Sequence, residues 1–320
     1  MTKKRLFFIL GCMLISLVVL LFFTFNTGNK KAKAPIPVSV VVRGTTNEQW
    51  AHVKQGMDQA ALDFNVELSF VTLQESNDAK RQISLLQREV DGGAKGIILS
   101  AADSNALVQP VNEIASIIPV VAFDSPVHSN KLTALLTMDN YNMGIAIVDE
   151  IVAQANVKKK IAILNNSPNC DNIQKRIDGI TYQLSKTNNE FYIVSISNEE
   201  QKATEQIKNI IDLKEADVII CPDQLILEPV ASMIESTNSK DIQLFGIGAT
   251  SVITSYLEKD IIKASIVPND FSIGYLAVDA IANPTHKKKD KKPIMVSYQM
   301  VNKHNMYDPV AERLLFPFVR

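Results

Sequence analysis

From Val38 to Met300 the sequence alternates between short β-branched runs and stretches whose apolar residues recur every three or four positions, and the alternation runs through twice. The first unit sets the pattern. Val38-Ser39-Val40-Val41-Val42 is short, continuous and β-branched, which reads as a buried strand. Arg43-Gly44-Thr45-Thr46 interrupts it, and Trp50, Val53, Met57, Ala60, Ala61 and Phe64 then fall on one helix face. Thr46 with Gln49, or Thr45 with Glu48, fits a capping box at the helix start. Strands alternating with helices predict parallel sheets, and two passes predict an α/β protein of two doubly wound parallel-sheet lobes. In such sheets ligands bind outside the carboxyl ends of the strands. The loop Arg43 to Trp50 is therefore expected at the mouth of a binding site.

The first pass continues with strands over 66–71, 96–99, 119–123 and 132–137 and helices over 78–90 and 105–117. The second pass opens with a helix over 140–155. It continues with strands over 160–164, 191–196, 217–221, 242–245 and 264–267, separated by helices, and Pro293 to Met300 reads as one last alternating strand. The repetition is of architecture only; no repeated sequence accompanies it.

Lys3-Lys4-Arg5 precedes Leu6 to Phe25, an uncharged run of the length that spans a membrane. A secretory signal has a shorter apolar core and a small-residue cleavage site. Here the only nearby candidate, Ala32-Lys33-Ala34, is followed by Pro35. The expectation is one N-terminal transmembrane helix (1–28) that anchors an extracytoplasmic domain to the cell membrane, with a polar linker over 29–37. A cleaved signal, or a lipoprotein processed at Ile9-Leu10-Gly11-Cys12, remains an alternative. The net charge of −1 gives no basic excess for nucleic acid. Of three cysteines, Cys12 lies in the apolar segment, so Cys170 and Cys221 allow at most one bridge, and two inert thiols are expected. The four histidines have no metal-ligand spacing, Gly246-Ile247-Gly248 lacks the third glycine of a dinucleotide fingerprint, and no nucleophile–base set is seen. Neither cofactor nor metal is expected, and the chain reads as a binder rather than an enzyme.

An ordered set of motifs carries a resemblance. Thr46-Asn47-Glu48-Gln49-Trp50 precedes Lys54-Gln55-Gly56; Gly96-Ile97-Ile98-Leu99-Ser100 leads into Ala102-Asp103-Ser104; and Pro119-Val120-Val121-Ala122-Phe123-Asp124 ends a strand. Asp139-Asn140, Arg176-Ile177-Asp178-Gly179, Phe245-Gly246-Ile247-Gly248 and Ala264-Ser265-Ile266-Val267-Pro268 follow in order. From Val38 to about Val301 the chain resembles the periplasmic sugar-binding proteins of the ribose-binding type, whose fold is shared by lactose-repressor-like ligand domains. That resemblance implies two lobes joined by three crossovers near Met138, Pro268 and His286. It implies a first lobe of 35–138 plus 269–285, a second of 139–268 plus 286–320, and a hinge that closes the lobes on a ligand.

The resemblance also implies the site. Trp50 is an aromatic platform for a sugar face, or a core residue of its own helix stripe. Asn47 is a polar contact or a helix cap. Asp124, at a strand's carboxyl edge, accepts sugar hydroxyls, and Arg176 donates to sugar oxygens from the second lobe. Ser100, Ser125, Asp139, Asp223, Gly248 and Asn269 complete the candidate set. The pattern departs from ribose binders at Ser125, Pro222, Gly248 and Pro268, so the expected ligand is a different sugar, polyol or small polar molecule. The output expected from the resemblance is delivery to an ABC permease or a report to a membrane histidine kinase. A transcription regulator would need a helix-turn-helix where residues 1–34 hold an apolar span. Lys287 to Lys292 reads as a solvated loop.

Overall fold

The computed structural model describes residues 7–8, 11, 13–19, 34–154, 158–239, 241–283 and 292–316. The chain divides into two compact units, Met1–Pro35 and Ile36–Arg320. In the first, Phe7, Phe8, Gly11 and 13–19 are helical and exposed. Among the described residues no helix is long and apolar enough to cross a membrane. Most of the Leu6–Phe25 span, the linker as far as Lys33, the expected crossover at His286 and the basic run up to Asp290 and Lys291 lie outside the described residues.

The second unit holds two six-stranded sheets. The first takes β1 (Ile36–Val41), β2 (Val66–Val71), β3 (Gly96–Leu99), β4 (Val120–Phe123) and β5 (Ala134–Thr137). The second takes β6 (Lys160–Asn165), β7 (Glu190–Ser195), β8 (Val218–Cys221), β9 (Gln243–Ile247) and β10 (Ile262–Pro268). The last two strands divide: β11 (Ile294–Met295) joins the first sheet and β12 (Tyr298–Asn302) the second. The orders are β11-β5-β4-β3-β1-β2 and β12-β10-β9-β8-β6-β7, the same winding twice. Among the described strands only β12 runs antiparallel to its neighbour. Strands β3, β4 and β8 are buried along their whole length, as parallel strands covered on both faces must be.

The expected single strand over Pro293–Met300 is therefore two strands in different sheets. Ile294 and Met295 pair with Leu136 and Thr137 of β5, and the Val296 amide donates to the Thr137 carbonyl. Those bonds place Ile294–Val296 against the first sheet, and the chain enters the second sheet at Tyr298, so a crossing falls between Val296 and Tyr298; the one expected near His286 lies outside the described residues. The helix expected over 105–117 is also shorter, Val108–Ile114.

Two helix pairs fix the parts of each lobe that matter to the site. In the first lobe α1 (Ala51–Phe64) packs on the helix Asp270–Ala282, which returns after the second crossing. A Cβ on Gly56 would lie 2.0 Å from the Phe271 carbonyl oxygen, and one on Gly274 1.9 Å from that of Val53. In the second lobe Asn140–Gln154 packs on Asp171–Leu184, and a Cβ on Gly144 would lie 2.1 Å from the Arg176 carbonyl oxygen. Each pair thus crosses backbone against backbone, which only glycine permits, and the helix carrying Arg176 is held rigidly.

Candidate functional site

The carboxyl ends of the two sheets face each other, and the loops that follow them meet. Arg43 follows β1, Asn77 follows β2 and Asp124 follows β4. Across from them stand Asn166 and Ser167 after β6, Asp223 after β8 and Gly248 after β9. Asp124 has φ 54°, a left-handed conformation that Asp adopts more readily than most residues. Asp223 caps the helix Gln224–Thr237 by accepting from the Leu225 amide.

Two arginines cross the cleft in opposite directions. Arg43, 1% exposed, donates through Nη1 and Nη2 to the two Asp223 oxygens at 2.7 and 3.0 Å. It also reaches Ser167 and Asn77, each at 3.3 Å. Arg176, 3% exposed, donates from the second lobe to Asp124 at 3.3 Å, to Asn140 at 2.8 Å and to the Pro222 carbonyl at 2.9 Å. Asn172 adds a 3.0 Å bond to Asp124. Each buried charge thus has an opposite partner, without which burial would be prohibitive.

The charges answer to this arrangement. Burial acts to lower the Arg43 pKa, but Asp223 and the groups around it outweigh burial and hold the guanidinium above its ordinary value. Burial acts to raise Asp223, and the Arg43 charge and its hydrogen bonds reverse that, leaving the carboxyl below its usual range. Burial lowers Arg176, and Asp124 and Asp223 only partly compensate; a guanidinium still keeps its charge. Asp270 differs: burial, then the Asp124 charge, push it up to about 7 against the opposing pull of Arg176.

Around these groups lies a cavity walled by Trp50, Val53, Phe123, Ile247, Pro268 and Ile273, with Arg43, Asp124, Arg176, Asp223, Gln224, Gly248 and Asp270 supplying polar edges. The cavity they enclose is small, about 20 Å³. Trp50 stands edge-on to Phe123, with centroids 5.6 Å apart and planes at 84°, and is 2% exposed, so it is both core residue and cavity wall.

Of the expected site residues, Trp50, Asp124, Arg176, Asp223 and Gly248 come together on this cavity. Ser100 and Ser125 are buried just past the ends of β3 and β4 and do not line this cavity. Three residues are placed elsewhere. Asn47 is exposed and opens the turn Glu48–Trp50, with its carbonyl accepting from Trp50. Asp139 is exposed and caps the following helix through Asn142; its neighbour Asn140 is the residue that holds Arg176. Asn269 caps Asp270–Ala282 by accepting from the Ser272 amide and lines a separate cavity with Phe271 and Tyr298. Within the expected capping box, only the Gln49 side chain reaches back, accepting from the amides of Thr45 and Thr46.

Arg43 and Asp270 were not expected as site residues. Arg43 stands two residues after the first strand, at the sheet's switch point between β1 and β3, which is a usable signal. Asp270 has none, because an acid in a helix's first turn is ordinary. Cys170 and Cys221 are free and buried, as expected of inert thiols, and burial raises both pKa values, Cys170 to about 11.

Residues 38–289 match the family model described as a periplasmic binding protein domain. The ribose import binding protein RbsB of Bacillus subtilis (strain 168) is 22% identical over 274 residues, 84% of this chain and 87% of that one. Among solved structures, a carbohydrate transporter solute binding protein from Agrobacterium radiobacter, in complex with D-arabinose, has a TM-score of 0.80 at 22% identity, covering 89% of this chain and 100% of that one. The Caulobacter myo-inositol binding protein bound to myo-inositol has a TM-score of 0.74 at 17% identity, covering 88% and 100%. A chain of the XylFII-LytSN complex has a TM-score of 0.74 at 20% identity, covering 85% and 99%. At these identities the solved structures share the fold.

Proposed function

The chain belongs to the periplasmic binding protein domain family, and we propose that it is an extracytoplasmic solute-binding protein whose ligand, a sugar or sugar-like polyol, is held between the two lobes. One observation carries this reading. Asp124 from the first lobe and Arg176 from the second meet at 3.3 Å beside the Trp50–Phe123 wall. A carboxylate and a guanidinium offer hydroxyl groups complementary acceptors and donors, and aromatic rings suit the apolar face of a sugar. The names of the relatives, an import binding protein for ribose and solute-binding proteins in complex with D-arabinose and myo-inositol, support the same class and a binding role rather than catalysis. By the resemblance drawn from the sequence, Gly248, Pro222, Ser125 and Pro268 depart from the ribose-binder pattern, which favours a ligand other than ribose. Titration calorimetry against a panel of pentoses, hexoses and inositols tests the reading. Saturable binding of at least one supports it, and silence across the panel overturns it.

Supply of an ABC permease is the first output in this reading. A report to a membrane histidine kinase is the second, favoured by the likeness to a chain of the XylFII-LytSN complex and by the uncharged run Leu6–Phe25, which in this reading stays attached as a single-pass anchor. Purification of the full chain from membranes decides between them by which partner accompanies it, a permease or a kinase. An N-terminus beginning near Pro35 on the membrane-free protein would remove the anchor.

A further inference from the structure

The cleft that the previous reading gives to a solute is already bridged by the protein's own side chains. We propose that Arg43 is a built-in occupant of this cleft, a positioning residue that ties the first lobe to Asp223 and Ser167 of the second and holds the lobes shut before any solute arrives. The proposal rests on the cleft being the solute site, and its test needs no solute.

Four observations point to it. The Arg43–Asp223 pair is bidentate, at 2.7 and 3.0 Å, and both side chains are 1% exposed, a geometry in which a planar guanidinium is held strongly. The Arg176–Asp124 pair crosses the other way, so closure leaves neither lobe with an uncompensated buried charge. Neutral bonds extend the seam: Asn77 Nδ2 donates to the Asn166 carbonyl at 3.2 Å, Ser167 Oγ at 3.0 Å and Asn198 Oδ1 at 3.3 Å, and Gln224 Nε2 donates to the Gln49 carbonyl at 2.9 Å. Finally, the cavity between the lobes measures only about 20 Å³. Small-molecule pockets run to several hundred Å³, on the order of 300 or more. A monosaccharide therefore enters only when the lobes part and the Arg43–Asp223 pair breaks. The solute's apparent affinity is its intrinsic affinity reduced by the fraction of molecules that are open.

Cys170 reports this directly. It stands at the N-cap position of a second-lobe helix, is 0% exposed, and its Sγ lies 3.4 Å from the Ala102 carbonyl, 3.6 Å from the Ala101 carbonyl and 3.7 Å from Asn77 Oδ1, all on the first lobe. Parting of the lobes uncovers it. Cys221, inside β8, stays covered and serves as the internal control for unfolding. The experiment is maleimide labelling of the full chain without solute, in mild detergent, with each cysteine followed by peptide mass spectrometry. The wild-type Cys170 is expected to react about a hundredfold or more slowly than in the urea-unfolded chain, and Arg43→Gln to speed it about tenfold while Cys221 stays protected. Should Arg43→Gln also expose Cys221, Arg43→Lys, which keeps the charge but not the fork, takes its place, with a several-fold increase expected. A wild-type Cys170 that reacts as fast as in the unfolded chain overturns the proposal, as does an unchanged rate in the folded Arg43 variant. Failure of the sugar reading would instead show as calorimetric silence, whatever Cys170 does.

Discussion

Asp124→Asn isolates the charge at the centre of the site. Asn adopts the left-handed backbone that φ 54° requires, so the loop is kept. It retains one acceptor and loses the second together with the negative charge that faces Arg176 at 3.3 Å and Arg43 at 3.5 Å. Arg176 is still held by Asn140 and the Pro222 carbonyl, so the fold should survive. A hydrogen bond to a charged group contributes roughly 1.5–3 kcal/mol. Loss of one such bond to a sugar hydroxyl lowers affinity about 10- to 150-fold. Calorimetry with the sugar that binds the wild type, alongside thermal melting, reads both quantities. An unchanged affinity in a variant that melts normally would refute the assignment of Asp124 to the ligand.

Further expectations follow from neighbouring groups. Arg176→Lys loses the bonds to Asn140 and Pro222 that aim the guanidinium, and should weaken the same ligand about tenfold in calorimetry. Gly274→Ala places a methyl 1.9 Å from the Val53 carbonyl oxygen, forces two helices apart, and should cost about 3 kcal/mol in urea unfolding. Asp270 keeps its proton in the folded state up to about 7, above the unfolded carboxyl range. The folded state therefore binds more protons between the two, and stability falls as pH rises through that window. Asp270→Asn should remove this slope, so that unfolding at pH 8 and pH 5 yields a smaller difference than in the wild type.

Much of the fold is legible in the sequence because parallel strands covered on both faces leave uninterrupted apolar runs, as Gly96–Leu99 and Val218–Cys221 do. The crossing between Val296 and Tyr298 is not, because Ile294–Met295 and Tyr298–Asn302 are separated by two residues that carry no turn signal, and only pairing with β5 shows where the chain leaves the first sheet. Asp124 and Arg176 are legible through strand ends and motif order. Arg43 is partly so, since it follows the first strand by two residues, but its partner lies 180 residues away and no local pattern announces the pair. Asp139 and Asn269 lie away from the cavity as polar residues at a helix start whose side chains accept from a helix amide, and capping uses the same side chains as ligand contacts do; Asn47 also stands at a helix start, but only its backbone carbonyl accepts there.

Trp50 allows the most direct measurement. It is the only tryptophan, is 2% exposed, and walls the cavity edge-on to Phe123. The measurement is a titration of its fluorescence with the monosaccharides and polyols of the calorimetric panel, on the wild type and on Asp124→Asn. Binding between the lobes predicts a saturable change in Trp50 emission for at least one sugar, shifted to higher concentration about tenfold or more in Asp124→Asn. No saturable change with any of them, or one that Asp124→Asn leaves in place, would contradict a sugar-like solute held at this site.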